Sequence, residues 1–195
     1  MPSPDTNGKL VIKENLTIED LTAFLPPAYF NDSSKVVFKD SLGHEKFFSI
    51  LSRLWDHQDY NTDRISYTYD ALNVSLIPED SSDYFLRVTG NASYSLDLSE
   101  QVNFLSYLLV KKGNPFGDLL LMEFRKGTFY ENSLFVDTTS PYTQADTTYR
   151  IAYHSDYSSP KHSDFPFADI VVTPEEGIIA FTDFDQVRWY FSRFE

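Results

Sequence analysis

Two identical tripeptides, His154-Ser-Asp156 and His162-Ser-Asp164, set an imidazole beside a carboxylate twice within one short stretch. Neutral imidazole nitrogen and carboxylate oxygen are ordinary ligands for a divalent metal, so His154, Asp156, His162 and Asp164 form a candidate metal set. Their spacing departs from ordinary zinc patterns, and Ser and Asp are common loop residues, so a solvated loop is the competing reading. A second chemistry needs aromatic faces rather than ligands. Trp55, Tyr142, Tyr157 and Phe165 fall in or beside segments read as loops, where binding residues concentrate. An aromatic face there is a stacking surface for a sugar or a peptide, and the competing reading is that it closes the end of a β core. Trp189, on an alternating strand, is expected in the core.

Catalytic signatures are absent. The chain has no Gly-x-Ser-x-Gly, His-Glu-x-x-His, P-loop or Gly-x-Gly-x-x-Gly. Its 29 acidic residues always offer some pair of carboxylates, so glycoside hydrolysis has no specific signal, and Glu175-Glu176 is expected at a turn tip. No catalytic residue is assigned, and no cofactor is expected.

The formal net charge is −13, from 29 acidic and 16 basic residues. With no basic stripe, such a chain is expected to avoid phosphate backbones and anionic lipid, and nucleic acid is not an expected partner. It has no cysteine, which removes disulfides, thiolate metal sites and cysteine catalysis together. No apolar run approaches the ~18 residues of a membrane-spanning helix. Residues 1–8 are polar and turn-rich and read as a flexible leader, with residues 9–195 as one β-rich domain.

The elements that must position these side chains are mostly strands. The 17 Phe and 13 Tyr, together with abundant Val, Ile and Thr, fit pleated, half-buried surfaces. Residues 9–14 read as a strand, and residues 17–25 as a two-turn helix capped by Thr17 and stopped by Pro26-Pro27. Asp40-Ser-Leu-Gly43 has the chemistry of a hairpin turn between residues 35–39 and 44–51. Residues 44–56 also match helical spacing, and turn chemistry favours the strand. Residues 65–76 alternate with a phase change that predicts a bulge near Ala71. Strands over 84–89 and 94–98 are expected to join through a hairpin at Gly90-Asn91. Residues 99–112 read as a helix ending at Lys111-Lys112-Gly113. Residues 118–124 read as a central strand apolar on both faces, 134–137 as a short strand and 140–147 as loop. The terminal stretch reads as a three-stranded meander over 170–173, 177–182 and 187–194. In it Ile179 and Phe181 share one face, as do Tyr190 and Phe194. The fold expected is mainly β, an antiparallel sandwich or a partly closed barrel with one or two short helices.

The stretch Lys35-Val-Val-Phe-Lys-Asp-Ser-Leu-Gly-His-Glu-Lys-Phe-Phe-Ser-Ile50 resembles the early strand-turn-strand of small, secreted, β-rich lipoproteins of Gram-negative bacteria, a group without assigned function. Gly177-Ile-Ile-Ala-Phe-Thr-Asp-Phe-Asp-Gln-Val-Arg-Trp189 is similar to their ending. The resemblance implies an extracytoplasmic domain, at the periplasm or outer surface, with a signal and a lipid-bearing Cys upstream of residue 1. The expected function is non-catalytic binding or interaction at the cell envelope, with an envelope protein or glycan as partner. The alternatives are an accessory hydrolase acting on glycans or esters, and a structural subunit of an envelope complex.

Overall fold

Runs of β-branched and aromatic residues pair almost throughout as antiparallel strands. The computed structural model describes residues 3–4, 8–12, 15–22, 24–94, 100–113, 118–125, 128–129, 136–144, 146–155 and 169–195. In chain order the first strands are β1 (Ser3–Pro4), β2 (Leu10–Val11), β3 (Lys35–Lys39), β4 (Glu45–Asn61) and β5 (Ile65–Pro78). There follow β6 (Tyr84–Tyr94), β7 (Gln101–Lys111), β8 (Asp118–Arg125), β9 (Thr128–Phe129), β10 (Val136–Thr139), β11 (Tyr142–Gln144) and β12 (Thr147–Tyr149). The last are β13 (Ala152–Ser155), β14 (Ile170–Thr173), β15 (Gly177–Thr182) and β16 (Arg188–Phe194). One sheet runs β10-β13-β14-β15-β16-β3-β4-β5-β6-β7-β8-β9, with β2 parallel to β5 and β1 on β2, while β11 and β12 pair with each other as a separate ribbon.

The long sheet curls into a half-barrel, and β8 approaches β10 and β13 from the opposite end of the strand order. This is the partly closed barrel expected from the strand spacing. Among the described residues, helical structure is confined to a single turn, α1 (Glu19–Thr22), and a 3₁₀ turn over Pro27–Phe30. Leu21, Leu25 and Tyr29 carry these turns into the concave face as a plug. Phe24 fills the seam between the two ends of the curl, its ring centroid 5.1 Å from Phe124 of β8 and 5.7 Å from Tyr153 of β13.

Several elements depart from expectation for identifiable reasons. Residues 101–111 are a strand, not a helix. Val102, Leu105, Leu108 and Leu109 keep helical spacing, but Leu105, Tyr107 and Leu109 alternate into the core and both neighbouring strands supply ladders. Gly90 is no hairpin residue; it sits inside β6, where an added Cβ would lie 3.1 Å from Leu21 Cδ1. The glycine lets the plug helix approach the sheet. In β8, Leu120, Met122 and Phe124 are buried while Leu121 and Glu123 are only half-buried, so one face, not both, meets the core. The irregularity near Ala71 belongs to the facing strand: between Trp55 and Gln58, β4 has one residue more than β5, and His57 takes φ 55°. The strand reading of residues 44–56 holds, within β4.

The terminal meander forms as expected, with two corrections to its faces. A bulge at Ile179 places Ile178 and Phe181 on the concave core, while Ile179 and Ala180 join Val171, Ala152 and Tyr149 in a second cluster. Another at Ser192 turns Phe194 inward against Tyr29, at 6.0 Å between centroids, and leaves Tyr190 outside. Trp189 is buried, as expected. Its indole donates to Asp183 Oδ2 at 2.8 Å, and Tyr84 Oη donates to the same oxygen at 3.2 Å.

Glu175 and Glu176 occupy the β14–β15 turn, as expected. Partial burial, then the neighbouring Glu175 charge, raises the carboxyl pKa of Glu176. A carboxyl raised in the folded state supports folding fully below its unfolded value of about 4.3, and that support fades as pH rises through the folded value. Glu176→Gln is therefore expected to raise Tm at neutral pH, with the gain closing below about pH 4. A Tm difference that stays constant between the two pH values would show that ionisation is not its source.

Candidate aromatic groove

The stretch read as a loop over residues 140–147 contributes instead to a small hairpin, β11–β12, laid over the outer surface of the terminal meander. Ser140 Oγ donates to the Arg150 carbonyl at 2.7 Å and closes its base, and the Thr143 and Thr148 hydroxyls meet across it at 3.2 Å. What fastens it to the sheet is the bulge in β15. Gln144 Nε2 donates to the carbonyl of the bulged residue, Ile179, at 3.0 Å. Tyr149 is buried in the second cluster, with Tyr142 and Phe191 packed against it.

Between this hairpin, β16 and the β3–β4 turn lies a groove of about 560 Å³, within the range of small-ligand sites. Tyr142, Tyr149, Tyr190 and Phe191 supply its aromatic walls, and Thr143, Thr147, Gln144 and Ser192 its polar groups. The Tyr142 ring stands edge-on to His154, with centroids 5.2 Å apart, and 6.5 Å from Tyr149. Burial raises the pKa of both phenols. For Tyr142 the Arg188 charge opposes that shift and Asp169 adds to it; for Tyr149 the Glu176 and Glu175 charges add to it. Both hydroxyls therefore stay protonated and able to donate at neutral pH.

The charges around the groove are already matched. Lys39 pairs with Glu45 at 3.1 Å, and Asp40 Oδ2 with His44 Nδ1 at 2.7 Å. Arg188 Nη1 reaches Asp169 Oδ2 at 2.7 Å and Thr182 Oγ1 at 3.1 Å, with its guanidinium 5.9 Å from the Tyr190 ring centre. One acceptor is left over: Gln144 Oε1 is buried with no hydrogen-bond partner. The site can thus stack a flat apolar face and exchange hydrogen bonds with hydroxyls, and its charged lining residues, Lys39 and Asp40, are already engaged.

Of the sequence-derived candidates, Tyr142 lies in this groove. His154 lies behind it, on β13. Trp55 is 37% exposed on β4, beside a separate, smaller notch. Tyr157, Phe165, Asp156, His162 and Asp164 lie outside the described residues. Among the described residues no three His, Asp or Glu side chains converge to hold a metal, and no helix is long and apolar enough to cross a membrane. Tyr149, Tyr190 and Gln144 carry the groove yet were not singled out in the sequence. The alternation that sends Trp189 inward already places Tyr190 outward, and that was the usable signal. Comparison of the chain with protein-family models, curated proteins and solved structures finds no match in any of the three.

Proposed function

We propose that the protein is a non-catalytic binding protein of the bacterial cell envelope, and that its groove holds a neutral glycan. The observation that carries this reading is a groove walled by three Tyr and one Phe, whose two charged lining residues, Lys39 and Asp40, each have a partner of the molecule's own. A charged ligand would have to displace the Lys39–Glu45 ion pair or the Asp40–His44 hydrogen bond to pair there. A sugar would find aromatic faces for its C–H surface, protonated phenols as donors, and the Thr143, Thr147 and Ser192 hydroxyls as acceptors. The resemblance to small secreted lipoproteins supports an extracytoplasmic, lipid-anchored setting. Palmitate labelling of the full-length native protein tests that part.

Binding is tested by a thermal-shift and calorimetry series with neutral oligosaccharides and peptidoglycan fragments. A ligand at 100 times its Kd adds about 2.7 kcal/mol, which for a chain of this size raises Tm by roughly 5–10 °C. Tyr142→Ala and Tyr190→Ala are each expected to weaken binding about tenfold, or about 1.4 kcal/mol. Failure of every neutral glycan to shift Tm would remove this reading, as would binding indifferent to both substitutions.

A further inference from the structure

A second site lies on the outer face of β4 to β6, apart from the groove. Leu51, Arg53 and Trp55 of β4 surround a notch of about 160 Å³ together with Asn73 and Ser75 of β5. The register sets Arg53 opposite Asn73, and Ser75 between Leu51 on one side and Arg87 of β6 on the other. Leu51 is 41% exposed and Trp55 37%, so the notch has an open apolar rim.

Half of the basic side chains among the described residues are held in ion pairs. Lys35, Lys39, Lys46, Lys111, Arg188 and Arg193 each reach a carboxylate within 3.4 Å. Among the described residues Arg53 and Arg87 form no ion pair. Asp32 interacts with Arg53 only through space, its Oδ1 being taken by the Ser52 N–H at 2.7 Å and hydroxyl at 3.0 Å. The Arg87 guanidinium carbon lies 4.9 Å from the Phe85 ring centre, and Arg87 Nε is buried with no hydrogen-bond partner. With Nε shut off from solvent, a ligand can meet Arg87 only through its Nη groups. Two guanidiniums without an ion pair, beside apolar side chains on a chain of net charge −13, make a local positive field that attracts anions.

We propose that this face docks an acidic peptide segment bearing one bulky apolar side chain. The apolar group fills the notch against Leu51 and Trp55, and flanking carboxylates bond Arg53 and Arg87 in the planar, two-pronged geometry that guanidinium favours. Charge complementarity selects the acidic partner, and the size of the notch limits it to a single side chain.

The test is fluorescence anisotropy of the full chain with a fluorescein-labelled Asp-Glu-Phe-Glu-Asp peptide, against a Lys-Lys-Phe-Lys-Lys control, at ~50 mM and ~500 mM NaCl. The acidic peptide is expected to bind, with the affinity falling at high salt and the control silent. Arg53→Gln combined with Arg87→Gln is expected to weaken binding at least roughly tenfold. Trp55→Ala is expected to weaken it as well, and Tyr190→Ala, in the groove, to leave it unchanged; circular dichroism confirms that each variant is folded. No binding of the acidic peptide, or equal binding by the double variant, would overturn the proposal. Sedimentation with phosphatidylglycerol vesicles in place of peptide binding would overturn it in favour of an anionic membrane surface.

Discussion

Asp183→Ala is expected to destabilise the fold by about 3–5 kcal/mol, the range for removing one member of a buried charged network, and to lower Tm by roughly 10 °C. The side chain is 2% exposed and collects donors from four directions. Its Oδ1 accepts the Asp185 and Val187 N–H groups, both at 3.0 Å, which shapes the β15–β16 turn. Its Oδ2 accepts Trp189 Nε1 and Tyr84 Oη, which ties that turn to β6 across the curl. The chain of contacts continues outward: Lys46 Nζ donates to Tyr84 Oη at 2.8 Å and lies 4.7 Å from the Trp189 ring centre. Burial, and then the Asp183 charge, raises the Tyr84 pKa well above its ordinary value, so its hydroxyl remains a donor. Alanine leaves those donors in the interior with no acceptor, each at a penalty of about 1–3 kcal/mol, softened where water can enter the space vacated. Asp183→Asn keeps the shape but aims an amide N–H₂ at one pair of donors, so an intermediate loss is expected. Urea denaturation read by Trp fluorescence measures both. A loss under about 1 kcal/mol for the alanine variant, the range of an ordinary neutral hydrogen bond, would mean the network does not brace the fold.

Features encoded over a few residues were legible before the structure. Asp40-Ser-Leu-Gly43 is a turn because Asp40 Oδ1 accepts the N–H groups of Leu42 and His44, at 2.8 and 2.9 Å, while Gly43 takes φ 86°. Both requirements can be met only by certain residue types, so the types reveal the turn. Gly90 obeys the opposite logic. Its reason is Leu21, a residue distant in sequence whose Cδ1 occupies the space beside a Cβ, and no local pattern separates that from a hairpin glycine. The helical reading of β7 failed similarly, because its apolar positions satisfy two periods and only the flanking ladders of β6 and β8 decide between them.

The groove depended on the least legible feature, the position of single-residue bulges. Strict alternation puts Phe194 with Tyr190 outside and Ile179 with Phe181 inside. One extra residue in each strand reverses both assignments. The bulge at Ile179 also leaves a carbonyl outside the ladder, and Gln144 uses it to anchor the hairpin. Tyr142 could be picked out as an aromatic beside a loop. That it meets Tyr149 and Tyr190 follows from an anchor that exists only once the sheet has bulged.

Gly177→Ala is the second substitution expected to have a large effect, about 3 kcal/mol or more, in the range of core overpacking added to a strained backbone. Gly177 holds φ 69°, which alone costs an L-residue about 1 kcal/mol. The larger part is steric: an added Cβ would stand 2.6 Å from Tyr29 Oη, 2.8 Å from Cζ and 2.9 Å from Cε2. Tyr29 has no freedom to withdraw. It is fully buried, its ring packs edge-on to Phe194, and its hydroxyl accepts the Ile178 N–H at 3.0 Å. Moving the ring breaks that bond and leaves the N–H at the start of β15 unpaired in the core, so packing and hydrogen bonding fail together. The two contributions separate in a double-mutant cycle. In a Tyr29→Leu background, which lacks the opposing ring atoms, Gly177→Ala is expected to cost only the backbone part, about 1 kcal/mol. A coupling energy near 2 kcal/mol from urea denaturation of the four proteins would confirm that Gly177 is needed chiefly to make room for Tyr29. Additivity within about 0.5 kcal/mol would assign the whole loss to the positive φ, and the plug that Tyr29 forms would then be tolerant of a side chain at the turn.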